Sequence, residues 1–153
     1  MAHQINVSSE RMIPAPPERV HAILADYHEG RPRILPGNYL DYKVEEGGSG
    51  DGTVISYRLR AARRERPYTM EVAEPTPGST LVERDRDSSL VTTWLLSPTA
   101  SGTGTDLKVT TVWEGADGVG GFFERTFAPK GLRAIYDDML DRLEKAAVGP
   151  AGG

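Results

Sequence analysis

The chain has 153 residues, 38% of them hydrophobic, with no Pro/Gly-rich linker dividing it, so one domain over residues 1–148 is expected, followed by a disordered tail at 149–153. A net charge of −4 weighs against a nucleic-acid partner, and the absence of cysteine excludes disulfides, thiolate nucleophiles and thiolate metal sites. The start Met1-Ala2-His3-Gln4 lacks the basic and apolar regions of a signal peptide, and no run approaches the roughly 20 apolar residues of a membrane span, so a cytoplasmic protein is expected.

From the N-terminus, Ile5, Val7 and Ser9 suggest a first strand. Pro16, Pro17 and Glu18 then open a helix carrying Val20, Ile23 and Leu24, because proline and an acid suit a first helical turn. Pro32 and Pro36 leave room for only a short helical or irregular piece between Arg31 and Leu35. A long meander of about six strands follows, separated by turn residues at 47–52, 75–78, 87–88 and 101–104. Thr53, Ile55, Tyr57, Leu59 and Ala61 take one phase and Ser56, Arg58 and Arg60 the other. Tyr68, Met70 and Val72 repeat the pattern, as do Leu107, Val109, Thr111 and Trp113, with Leu90, Thr92, Trp94 and Leu96 forming a mixed strand. Leu81 to Asp85 is strand-like, with faces that the pattern leaves ambiguous.

The C-terminal segment is helical. Leu132, Ile135, Tyr136, Met139, Leu143 and Ala147 recur at three-and-four spacing, opposed by Arg133, Asp137, Asp138, Asp141, Arg142, Glu144 and Lys145. The pairs Asp138–Arg142 and Asp141–Lys145 add only about 0.2 to 0.5 kcal/mol each, so burial of the stripe must hold this helix. Pro129 inside the pattern predicts a break or kink, with Phe122 to Phe127 as a flap hinged on Gly118, Gly120 and Gly121.

No histidine pair has metal-ligand spacing, and the glycines at 115–121 do not match a dinucleotide fingerprint, so neither a metal nor a cofactor is expected. His3, His21 and His28 all precede the sheet; His21 reads as a surface helix position and His28 as a loop residue, with a role at the cavity mouth as its lesser alternative. The basic run Arg58, Arg60, Arg63, Arg64 and Arg66 reads as a solvated sheet face and a hairpin with Glu65, neighboured by Arg84 and Arg86 with Asp85 and Asp87, and an anion or acidic-partner patch is the alternative.

The element order, with Ile13 to Val20 after the first strand and Phe127 to Leu132 entering the last helix, resembles the START-like (Bet v 1-like) superfamily called SRPBCC, specifically its polyketide cyclase/dehydrase and lipid-transport branch. That resemblance covers about Val7 to Leu143 and implies an α+β helix-grip fold. In it, a curved antiparallel sheet of about seven strands wraps a long C-terminal α-helix, one or two short helices follow strand 1, and a cavity lies between sheet and helix.

On that frame the aromatic phases converge on the cavity. Tyr57, Tyr68, Met70, Trp94, Thr111, Trp113, Phe123, Phe127, Tyr136 and Met139 are the expected ligand-binding residues, although each alone is equally a core residue. Such a lining suits a small hydrophobic or aromatic, lipid- or polyketide-like ligand with few oxygens. A cyclase or dehydratase is the alternative, with Tyr57, Tyr68, Glu83, Asp85, Thr92, Thr111 and Arg63 as its polar groups and no catalytic set assigned. Glu83 and Asp85 share a phase; facing inward, one would be desolvated as a general acid or base requires, but the expected orientation is outward, against the arginines. A co-chaperone-like interaction module is the third reading, with a large apolar patch outside the cavity as its signature. Monomer and homodimer both remain open.

Overall fold

The computed structural model describes residues 4–61, 64–114 and 128–149. Strand β1 (Gln4–Ile13) leads into helices α1 (Pro17–Leu24) and α2 (Gly30–Ile34). The meander β2 (Tyr39–Glu46), β3 (Val54–Ala61), β4 (Arg64–Thr76), β5 (Thr80–Asp85), β6 (Val91–Pro98) and β7 (Thr105–Glu114) follows, and α3 (Ala128–Val148) closes the chain. All seven strands form one antiparallel sheet in the order β1-β7-β6-β5-β4-β3-β2, the expected helix-grip arrangement.

Alternation builds the sheet. Along β7, Leu107, Val109, Thr111 and Trp113 are buried while Asp106, Lys108 and Glu114 are exposed, so one face meets the core and the other water. The registers carry this phase from strand to strand, setting Val7, Thr111, Thr92, Glu83 and Val72 in one row across the inner face. Helix α3 lies against β1 and both short helices, burying Leu132, Ile135, Tyr136, Met139, Leu140, Leu143 and Ala147. At roughly 1.5 to 3 kcal/mol for each fully buried aliphatic side chain, this stripe outweighs any surface pair on the helix.

One strand escapes the sequence pattern, and three expectations change. Strand β2 has no fully buried position, so it shows no clean alternation in the sequence; it is an edge strand with register shifts and carries Asp41 at φ 54°. The described part of α3 runs without interruption from Ala128 through Pro129 to Val148, so no break separates the proline from Leu132. The Asp138–Arg142 pair forms at 3.0 Å, but Asp141 pairs with Arg11 on β1 instead of Lys145. Glu83 and Asp85 face inward, and both are buried. The proposed flap and its hinge, together with Phe123, Phe127 and Arg63, lie outside the described residues, as does the tail beyond Gly149.

Candidate functional site

The polar floor of the sheet-and-helix space begins in the turn between α1 and α2. Asp26 accepts the backbone N–H groups of His28 and Glu29, each at 3.2 Å, and its own carbonyl accepts the Arg31 N–H at 2.8 Å. Gly30 permits the close approach of the two helices: a Cβ there would sit 2.3 Å from the carbonyl oxygen of Ile23. The loop at 47–52 closes over this turn, with Tyr27 N–H donating to Gly48 O at 2.9 Å and Gly50 N–H to Ala25 O at 3.0 Å.

This turn sends Arg31 inward. Its Nη2 lies 2.7 Å from Glu83 Oε2, and the two side chains are 3% and 7% exposed. The guanidinium also donates through Nε to Leu24 O at 3.2 Å and through Nη2 to Tyr27 Oη at 3.1 Å, and it stands over the rings of Tyr27 and Trp94. Tyr27 donates its hydroxyl to the same Oε2 at 2.6 Å, whereas among the described residues Glu83 Oε1 meets only the Trp94 Nε1–H, at 3.4 Å. Burial alone would lower the Arg31 pKa, but the Glu83 carboxylate outweighs it and holds the group above its ordinary value, so the guanidinium stays charged.

Next to Glu83 in the cross-strand row stands a chain of hydroxyls. Thr92 and Thr111 are 2.8 Å apart, and Thr111 also hydrogen-bonds Tyr136 from α3. Burial pushes the Tyr136 hydroxyl up to about 12.

Tyrosine makes most of the wall. Of the six tyrosines in the chain, Tyr39, Tyr42, Tyr57, Tyr68 and Tyr136 line the cavity, and Tyr27 lies in the ion-pair network beside it. The rings of Tyr39, Tyr57 and Tyr68 follow one another with centroids 5.1 and 5.8 Å apart. Burial raises all six above their ordinary value, so every phenol is a neutral O–H group at physiological pH. Leu35, Ile55, Leu59, Leu90, Leu132, Trp94 and Met139 complete the apolar part.

The wall bounds about 540 Å³ of non-atom space including its mouth, but only about 30 Å³ is wide enough for the centre of a water molecule. That is room for a couple of waters, so anything larger would have to turn side chains aside to enter.

Of the residues expected from sequence, Tyr57, Tyr68, Trp94, Tyr136 and Met139 line this cavity, and Thr92 and Glu83, weighed there only as polar groups, join them. Met70, Thr111 and Trp113 are buried in the surrounding core; Thr111 reaches the wall through Tyr136. His28 is exposed near Gly47 O and takes no part. Asp85 is buried but engaged elsewhere, accepting from Thr69 N–H at 3.2 Å and Ser88 Oγ–H at 2.5 Å. Arg58 follows expectation by pairing outside with Asp41 and Glu65, while Arg66 falls on the inner phase and stacks over Tyr68 at 5.5 Å. Sequence reasoning missed Arg31, Tyr39 and Tyr42: the first looks like a surface cation, and the others sit on the strand whose alternation is blurred.

A family model described as polyketide cyclase / dehydrase and lipid transport matches residues 4–148. Among solved structures, the chain is similar to KanY, determined by NMR in solution, at 42% identity over 96% of this chain and 99% of that one, with a TM-score of 0.84. It shares its fold with TTHA0849 from Thermus thermophilus, at 21% identity over 94% and 97% of the two chains and a TM-score of 0.74. It does so too with truncated norcoclaurine synthase from Thalictrum flavum, at 14% identity over 97% and 96% and a TM-score of 0.72. No curated protein matches it in sequence.

Proposed function

Since the chain belongs to the polyketide cyclase/dehydrase and lipid-transport family of the SRPBCC superfamily, we propose that it binds a small hydrophobic or aromatic molecule in the cavity between the sheet and α3. The observation that carries this reading is the concentration of five of the six tyrosines, with Trp94 and Met139, on one internal wall. A folding core alone needs no such collection of phenols, each of which must keep its hydroxyl satisfied when buried. Among the described residues the exposed large apolar side chains are Met12, Leu95 and Val148, which supports an internal site over an apolar docking face.

One observation favours catalysis as a second reading: the Glu83 carboxylate and the Tyr136 hydroxyl face the same cavity, an acceptor and a donor for proton transfer. Because Glu83 is already engaged by the Arg31 guanidinium and the Tyr27 hydroxyl, binding takes precedence. Native mass spectrometry of protein purified gently from its own host is the test. A stoichiometric co-purifying aromatic or lipid-like molecule is expected, and its conversion by the protein would move the assignment to catalysis. Failure of a broad hydrophobic panel to raise the melting temperature would overturn the binding reading, because saturation to 100 times the dissociation constant contributes roughly 2.7 kcal/mol.

A further inference from the structure

We infer that the cavity selects neutral aromatic molecules bearing a hydroxyl, a phenol or enol that donates to Glu83 Oε1, and rejects the corresponding carboxylic acids; this rests on the binding reading above. The selection follows from how the charges in the wall are spent. Arg31 and Glu83 are the charged residues among the described lining, and they neutralise one another at 2.7 Å. An anion entering this space finds no uncompensated cation among the described lining residues, and the phenols around it stay neutral because burial holds each of them protonated.

The same pair leaves one acceptor underused. Oε2 takes the Tyr27 hydroxyl at 2.6 Å and the Arg31 guanidinium, while Oε1 has the Trp94 N–H at 3.4 Å, beyond the ordinary range of about 2.7 to 3.2 Å. A carboxylate oxygen has two lone pairs, so an O–H donor from a ligand fits there and a second acceptor does not. Hydrogen bonds to an ionised acceptor are about twice as strong as neutral ones, so this contact outranks any other the wall offers. The tyrosine ladder of Tyr39, Tyr57 and Tyr68 supplies the aromatic surface for the rest of the molecule.

Calorimetric titration of the whole chain with naphthalene, 2-naphthol and 2-naphthoate at neutral pH tests this. The three probes share a ring system and differ in what they present to Glu83. The expected order is naphthol first, at least about tenfold tighter than naphthalene, with naphthoate weakest. In Glu83→Gln the Arg31 cation loses its partner, so the preference inverts and naphthoate becomes the tightest of the three. Should that variant fail to fold, the double variant Arg31→Met/Glu83→Gln removes both charges and is expected to bind naphthol and naphthalene within about twofold of each other.

Equal affinities for naphthol and naphthalene in the unmodified chain would overturn the selection while leaving the cavity a hydrophobic site. Tight naphthoate binding that disappears in Arg66→Gln would overturn it too, placing acid recognition on the cation over Tyr68. Binding of none of the three would remove the cavity-binding reading itself.

Discussion

Arg31 from α2 and Glu83 from β5 meet 2.7 Å apart with almost no exposure, joining the short helices to the middle of the sheet through one buried ion pair. Such a pair is worth little against a hydrophobic substitute, but breaking it leaves a charge stranded. Glu83→Ala is therefore expected to lower unfolding free energy in urea by roughly 3 to 5 kcal/mol, whereas Arg31→Met with Glu83→Leu should be about neutral or more stable. Additive losses in the double variant would mean that the two residues are not coupled.

The tyrosines make a prediction about alkali. Tyr136 has its hydroxyl moved by burial from the ordinary 10.0 to about 12, so the folded state favours the neutral form. The folded pKa is the higher one. Its contribution is fully present below pH 10, falls as pH rises toward 12, and amounts to about 3 kcal/mol when whole. The other five tyrosines are raised in the same direction. Absorbance at the tyrosinate band and circular dichroism should therefore change together in one cooperative step above pH 10. Gradual tyrosinate formation with the dichroism intact would show the phenols to be accessible in the folded protein.

The fold was legible wherever one face of an element is wholly dry and the other wet. Val109 and Lys108 on β7, or Leu143 and Arg142 on α3, reveal their faces through simple periodicity. Strand β2 was not legible, because an edge strand with half-buried Tyr39 and Tyr42 and a bulge between them does not alternate. The aromatic part of the site was legible for the same reason as the core, since Tyr57, Tyr68 and Trp94 follow the inner phase. Its charged floor was not: an Arg in a five-residue helix and a Glu among arginines both look like surface residues until the turn at Asp26 brings them together. Burial of a charge is a pairwise property, and neither Arg31 nor Glu83 carries it alone.

Gly30 controls where Arg31 points. A methyl group there would meet Ile23 O at 2.3 Å, a backbone atom that cannot swing away. Gly30→Ala should separate α2 from α1 and cost about 1 to 3 kcal/mol in thermal or urea denaturation, even though alanine is ordinarily the better helix former. The accompanying sign is specific: Trp fluorescence should shift, because Trp94 packs under the Arg31 guanidinium at 5.1 Å. An unchanged spectrum and stability would show that the helices tolerate separation.

What fastens α3 to the sheet can be divided between its two sides. On the wet side, Asp141 pairs with Arg11, but Asp141 is 58% exposed, so water screens the attraction and the pair also restrains two mobile side chains. On the dry side, Leu140 and Leu143 are fully buried and their removal would leave cavities in a packed interior. Asp141→Asn is expected to change unfolding free energy by less than about 1 kcal/mol, and that loss should vanish in high salt. Leu143→Ala should cost roughly 2 to 5 kcal/mol independently of salt. The reverse ordering in urea titrations at low and high ionic strength would mean that the helix is held electrostatically, and the cavity beneath it would then open with salt.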